Sequence, residues 1–206
     1  MRILVACEES QEVCKAFRAM GHEAYSCDIE PCSGGHPEWY LKCDALELLK
    51  IQWDMILAFP PCTYLSNAGA RHLFKGGTLN EERYQKGLKA KEFFLSFLNA
   101  DCQHICVENP VSSRIYKMPP CSQEVEPYMF GHPVKKKTRL WLKGLPPLKP
   151  TNIVDPKCGC HEAGTWFMVG GKDRQKNRAK TFPGLAKAMA EQWGRLLPPE
   201  GEKNNG

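Results

Sequence analysis

Residues 53–66 read WDMILAFPPCTYLS. The apolar run at 53–58 has the look of a buried strand. Pro60 and Pro61 fix the backbone just beyond it and hold Cys62 at the strand's end with little rotational freedom. A thiol in that place is either core filling that happens to lie at an edge or a nucleophile put on display.

Working outward from this strand, the first half of the chain alternates strand and helix signals. Residues 2–6 (RILVA) form a β-rich run. Ser10 is a fit cap for a helix through Met20, with Val13, Phe17 and Met20 on one face and Gly21 as its stop. Residues 23–27 (EAYSC) read as a second strand, EPCSGGHPEW as loop and residues 45–49 as a short helix. Asn80 opens a long helix whose first turn carries Glu81 and Glu82, which suits the positive end of the helix dipole. Residues 104–107 (HICV) make the next strand and 139–142 a later one. Residues 183–197 make an amphipathic helix with proline at its start. This alternation predicts an α/β fold, a mostly parallel sheet with helices on both faces, in which ligands gather at the carboxyl ends of the strands.

Composition bounds the class. At 206 residues with 42% hydrophobic and 25% charged side chains, one domain over residues 1–197 with a tail at 198–206 is expected. No signal peptide or membrane-length apolar stretch is read. Eleven cysteines without a secretory signal predict a reduced, cytoplasmic protein rather than a disulfide framework. The net charge of +5 leans toward a polyanionic partner.

Asp28, Asp44, Cys62 and Glu108 each fall at or just past the end of a predicted strand, so four polar groups converge on one rim. An acid at Asp28 suits ribose hydroxyls and one at Asp44 an adenine amino group. Cys62 and Glu108 form a coherent chemical pair. A thiolate adds to C6 of a pyrimidine while a carboxyl group, kept protonated by partial burial, donates to N3. C5 then becomes electron-rich enough to attack an electrophilic methyl.

At these residues the chain resembles the cytosine-C5 DNA methyltransferase family. FPPCTYLS (59–66), VENP (107–110) and KKTRLWLKGLP (136–146) are similar in order and spacing to its nucleophile, acid and arginine motifs. RAKTFPGLAKAMAEQW (178–193) is similar to its closing helix. The resemblance implies a Rossmann-like S-adenosylmethionine-dependent methyltransferase fold, with Cys62 as nucleophile, Glu108 as the N3 contact, and Lys137 and Arg139 organising the site. It implies S-adenosylmethionine as cofactor, held by the first strand's loop (Cys7, Glu8, Glu9), by Asp28 and Asp44, and by Pro60. The partner implied is duplex DNA with a flipped cytosine. Several places differ from the family pattern. ACEESQ (6–11) carries no glycine, ENV has become ENP, and only residues 146–176 stand where the family has a sizeable recognition region. That lean form resembles phage and prophage members and points to short specificity, or specificity supplied by a protein partner. A free cytidine nucleotide as substrate, and a non-catalytic nucleic-acid-binding relative, are the alternative readings. Amino-methyltransferases share a Pro-Pro motif, but its first position must hydrogen-bond an exocyclic amine, and Phe59 cannot.

Lys172, Arg174, Lys176, Arg178 and Lys180 recur every second residue, so an extended backbone points them one way. With Lys135 and Lys136 they are the expected contacts to DNA phosphates. Cys158, Cys160 and His161 are zinc-ligand types, but C-x-C-H without a second half assigns no metal site.

Overall fold

The structure, a computed structural model, describes residues 1–70, 72–156 and 180–196. Strand β1 (Arg2–Ala6) leads into helix α1 (Glu12–Ala19), then strands β2 (Glu23–Asp28) and β3 (Tyr40–Lys42) and the helical turn α2 (Ala45–Leu48). Strand β4 (Met55–Ala58) opens into the loop of Cys62 and the short helix α3 (Asn67–Ala70). A small hairpin, β5 (Phe74–Lys75) and β6 (Thr78–Leu79), precedes the long helix α4 (Glu81–Leu98). Strands β7 (His104–Pro110), β8 (Gln123–Val125) and β9 (Thr138–Lys143) and helix α5 (Pro183–Trp193) follow.

Seven strands form one sheet in the order β3-β2-β1-β4-β7-β9-β8. Those from β3 to β7 run parallel, and β9 runs antiparallel to both its neighbours. The chain winds outward in opposite directions from β1 and β4, which makes the gap between their carboxyl ends the switch point where such sheets bind ligands. This is a Rossmann-like, doubly wound α/β fold.

The period of two along each strand divides the core. Ile3, Val5, Met55, Leu57, Cys106 and Leu140 pack with α1 and α5, while Leu4, Ala6, Ile56, Ala58, Val107 and Trp141 pack with α4. Continuous apolar strands such as RILVA and MILA are what burial on both faces demands. Buried indoles still need acceptors. Trp53, Trp141 and Trp193 donate to the carbonyls of Leu48, Pro119 and Pro146 at 2.8, 2.9 and 2.9 Å. Among the described residues, no helix is long and apolar enough to cross a membrane.

Three local differences from the sequence reading have physical causes. Helix α1 starts at Glu12 and is capped not by Ser10 but by the Glu8 carboxylate, which accepts from the backbone N–H groups of Val13 at 2.6 Å and Cys14 at 3.2 Å. The sheet gains β3 and β8, each three residues long; such strands hold by pairing with distant neighbours and leave little periodicity to read. The sheet's far edge is antiparallel, because β9 returns beside β7 without a crossover helix. Asn80 caps α4 as expected, accepting from the Arg83 N–H at 3.1 Å.

Helix α4 lies close to the segment after β7 at Gly87. A Cβ there would come within 2.1 Å of the Tyr116 ring, which is 2% exposed and stacked on Tyr84 with centroids 5.8 Å apart. Gly87→Ala is therefore expected to destabilise the protein by roughly 1–3 kcal/mol through overpacking, despite the roughly 1 kcal/mol that alanine gains in helix propensity. Urea unfolding reads the result; a stabilised variant would contradict this packing.

Candidate active site

The nucleophile candidate is placed by the sheet. β4 and β7 are adjacent and parallel with Ala58 opposite Val107, so Cys62 follows one strand's end as Glu108 follows the last paired position of the next. β7 continues past that point because β9 pairs with it as far as Pro110 opposite Thr138. Glu108 is thus held inside a strand rather than at a strand's end. The Cys62 loop is sewn to the turn after β7. Asn67 N–H donates to the Val111 carbonyl at 2.9 Å and Ser113 N–H to that of Leu65 at 2.7 Å, and Ser66 bridges Ser112. Asn109, fully buried, donates to Ser112 Oγ at 2.8 Å and holds that turn from the strand side. From the helix side, Arg83 donates to the carbonyls of Thr63 at 3.3 Å and Gly69 at 3.1 Å, with its guanidinium 5.0 Å from the Tyr64 ring centre. Cys62 is half-buried.

Glu108 faces the α5 side of the sheet, opposite Leu140. Burial pushes its carboxyl above the ordinary range, with the Lys136 ammonium pulling the other way. The same burial, with the Glu108 charge, raises the Cys106 thiol beneath it. Glu108 lines a cleft with Phe59, Lys136, Thr138, Lys180 and Phe182. The cleft measures about 20 Å³, room for about one water molecule, so its wall must part to admit a pyrimidine ring. Cys62 is not among its lining residues; Phe59, which leads into the Pro60-Pro61-Cys62 segment, is. A larger open groove of about 560 Å³ is lined by Tyr64, His72, Phe74 and Arg83 among others and holds neither Cys62 nor Glu108.

Lys137 and Arg139 lie elsewhere. Lys137 Nζ is 3.1 Å from Glu124 Oε2, and Arg139 Nε donates to Glu124 Oε1 at 2.9 Å. Arg139 is registered with Asn109 and Glu124, on the sheet face opposite Glu108. The expected organising cations are therefore joined to Glu124, because alternation along β9 turns residue 139 away from the cleft. Lys136 shares the cleft with Glu108 and Lys180 and is near enough to act on the Glu108 carboxyl. Lys135 is exposed. Lys172, Arg174, Lys176, Arg178, Cys158, Cys160 and His161 lie outside the described residues.

At the switch point the turn after β1 forms without glycine. Cys7 adopts φ 60° and Gln11 φ 60°, left-handed values that cost a non-glycine residue roughly 1–2 kcal/mol. Gln11 is fully buried; its amide donates to Ser26 Oγ at 3.1 Å and the His36 carbonyl at 2.9 Å, and accepts the His36 N–H at 2.9 Å. Glu9 ties down the same loop through both the backbone and the hydroxyl of Ser33. Gly34 allows the close approach, since a Cβ there would meet Gln11 Cβ at 2.4 Å. Glu8 is corrected from ligand-facing acid to helix cap: its carboxylate is 5% exposed and turned into α1. Asp28 and Asp44 stand with Cys7 on one rim, near enough that both acids raise the thiol's pKa, after burial itself. Each acid uses an oxygen on its own loop, accepting from Glu30 N–H and Leu46 N–H at 3.0 Å. A carboxylate has roughly four acceptor sites, so both acids keep acceptor capacity for the hydroxyl or amino groups of a ligand. Pro60 is buried at the opposite lip. Among the described residues, no group of three or more histidine, cysteine, aspartate or glutamate side chains is disposed to hold a metal ion.

No protein-family model matches the chain, and no curated protein sequence matches it. Solved structures do match in shape. The methyltransferase EhMeth of Entamoeba histolytica aligns at 12% identity and TM-score 0.47 over 74% of this chain and 57% of its own. An E. coli prophage protein assigned as a DNA modification methyltransferase aligns at 13% identity and TM-score 0.47, over 74% of this chain and 51% of its own. The Dnmt2 methyltransferase of S. pombe aligns at 11% identity and TM-score 0.44, over 84% of this chain and 57% of its own. The chain thus spans between 51% and 57% of the length of these proteins.

The Glu8 cap carries a pH signature. Burial lifts its carboxyl to about 8, against the pull of the two N–H groups. A folded-state value above the unfolded one means that its contribution to stability is fully present below about pH 4.5 and is lost as pH rises toward 8. Glu8→Gln, neutral throughout, should gain stability relative to the wild type between pH 5 and pH 8, by up to about 1.4 kcal/mol per unit. Urea unfolding at the two pH values measures it; parallel curves would contradict the assignment.

Proposed function

We propose that this chain transfers a methyl group from S-adenosylmethionine to C5 of cytosine in DNA, through a covalent adduct between Cys62 and C6. The observation that carries the reading is the pairing of β4 with β7, which brings a Pro-Pro-Cys loop and a glutamate with a raised pKa to one end of the sheet.

The chemistry follows from the placed groups. Cys62 as thiolate forms a bond to C6, and the C5=C6 π electrons move into the ring. Glu108, whose carboxyl burial pushes above the ordinary range, passes its proton to N3 and leaves C5 nucleophilic. The cofactor, when bound, supplies the electrophilic methyl. Loss of the C5 proton to a base then lets the S–C6 bond break, and Glu108 recovers its proton from N3. The Cys7 turn, Asp28, Asp44 and Pro60 would hold the cofactor at the switch point, where carboxylates favour a cationic sulfonium. The stitched seam from Leu65 to Ser113 keeps the attacking sulfur from wandering, an entropic saving on each turnover. A target base in a duplex must leave the stack to reach these groups, and Lys135, Lys172, Arg174, Lys176 and Arg178 are proposed to hold the phosphates.

Incubation with labelled S-adenosylmethionine and either duplex DNA or dCMP, followed by nucleoside analysis, tests the reading. Label as 5-methylcytosine in DNA is expected. Label in the free nucleotide alone would move the substrate, and no label in either would refute the activity. Cys62→Ser is expected to abolish turnover and Glu108→Gln to lower kcat by roughly 10²–10⁴. Wild-type rates in either variant would remove that residue from the mechanism.

A further inference from the structure

We infer that Lys136, and not the Lys137 and Arg139 of the arginine-like motif, is the cation that serves the ring held against Glu108. For the ring this rests on the proposed reaction; the placement of Lys136 and Glu108 on one cleft stands without it.

Alternation decides which cation faces in. Thr138 and Leu140 register with Pro110 and Glu108 and share their face. Lys136 continues that direction one step before the strand, and its carbonyl accepts from Thr138 Oγ1 at 3.3 Å. Its ammonium lies 5.7 Å from the Phe182 ring centre, across the cleft that Glu108 lines. Lys137 and Arg139 take the intervening direction, and the two oxygens of Glu124 hold one of them each. Among the described residues, the other charged groups lining the cleft are Glu126 and Lys180, with the Cys106 thiol beneath Glu108.

The reaction has use for a cation there. Addition of the thiolate to C6 pushes negative charge into the ring toward N3 and the C2 carbonyl oxygen. Glu108 neutralises N3 by proton donation, and an ammonium donating to the carbonyl oxygen stabilises the charge as it forms. A lysine head on a flexible stem can cover the cleft when it is closed and turn to the oxygen when a ring enters. The same ammonium favours the carboxylate form of Glu108, in keeping with the direction in which it acts on that group.

The test is a carbon-NMR titration of the glutamate carboxyls in the whole chain. The Glu108 signal is assigned by its loss in Glu108→Gln, and urea unfolding confirms that each variant is folded. Lys136→Met should move the Glu108 midpoint upward, and Lys137→Met and Arg139→Met should leave it in place. An unmoved midpoint in Lys136→Met, or an equal shift in Arg139→Met, overturns the inference whether or not the protein methylates DNA. In the methylation assay Lys136→Met should lower kcat roughly a hundredfold with a smaller change in KM. Lys136→Arg should recover part of the loss, and Lys137→Met and Arg139→Met should lose far less. The reverse ranking overturns it. Absence of any methylation by the wild type would refute the proposed reaction, while the titration still decides the pairing.

Discussion

The parallel register of β4 against β7 is the constraint on which the site depends. Four successive residue pairs, from Met55 with His104 to Ala58 with Val107, fix where both strands release the chain. Beyond Ala58 the two paths diverge, one into a double proline and the other along β9, but they meet again through the bonds that join Leu65, Ser66 and Asn67 to Val111, Ser112 and Ser113. A sheet edge followed by a hydrogen-bonded seam is a closed frame. Within it the Cys62 loop has few independent torsions, and Glu108 has the fixed direction of a strand residue.

The switch-point end of the sheet is built on a different compromise. A left-handed turn after a strand commonly uses glycine; here Cys7 and Gln11 accept left-handed backbone instead. The compensation is visible around them. Gln11 satisfies its amide on both sides of the loop that follows β2, and Glu8 receives the first free N–H groups of α1. Burial of a charge as deep as Glu8 costs more than its two hydrogen bonds return, which explains why its proton is held so firmly. The strain lies in the turn after β1, and its remedy reaches from Glu8 to Ser26 and His36.

Much of this architecture was legible in the sequence. The apolar runs at 2–6, 53–58 and 104–107 announced buried parallel strands, since burial on both faces leaves no alternation, and Asn80 announced α4. What escaped reading depended on long-range pairing. The strands of Tyr40–Lys42 and Gln123–Val125 exist because β2 and β9 hold them, and no local signal marks them. Side-chain direction escaped for the same reason. A motif names Lys137 and Arg139, but whether they or Lys136 face Glu108 depends on the register of β9 against β7, which only the fold supplies. Glu8 looked like a ligand-facing acid because a carboxylate beside a strand end is equally suited to a ligand and to a helix start.

The central claim, that the sulfur at position 62 bonds to a cytosine ring, is tested most directly by trapping the adduct. Duplex DNA in which the target cytosine carries fluorine at C5 cannot lose a proton there, so the ring should remain bonded to the protein once methyl transfer has occurred. Incubated with S-adenosylmethionine and digested, the protein should yield the peptide containing Cys62 with the nucleotide attached, identified by mass spectrometry. An adduct on another residue, or DNA that is methylated without any covalent complex forming, would contradict the account.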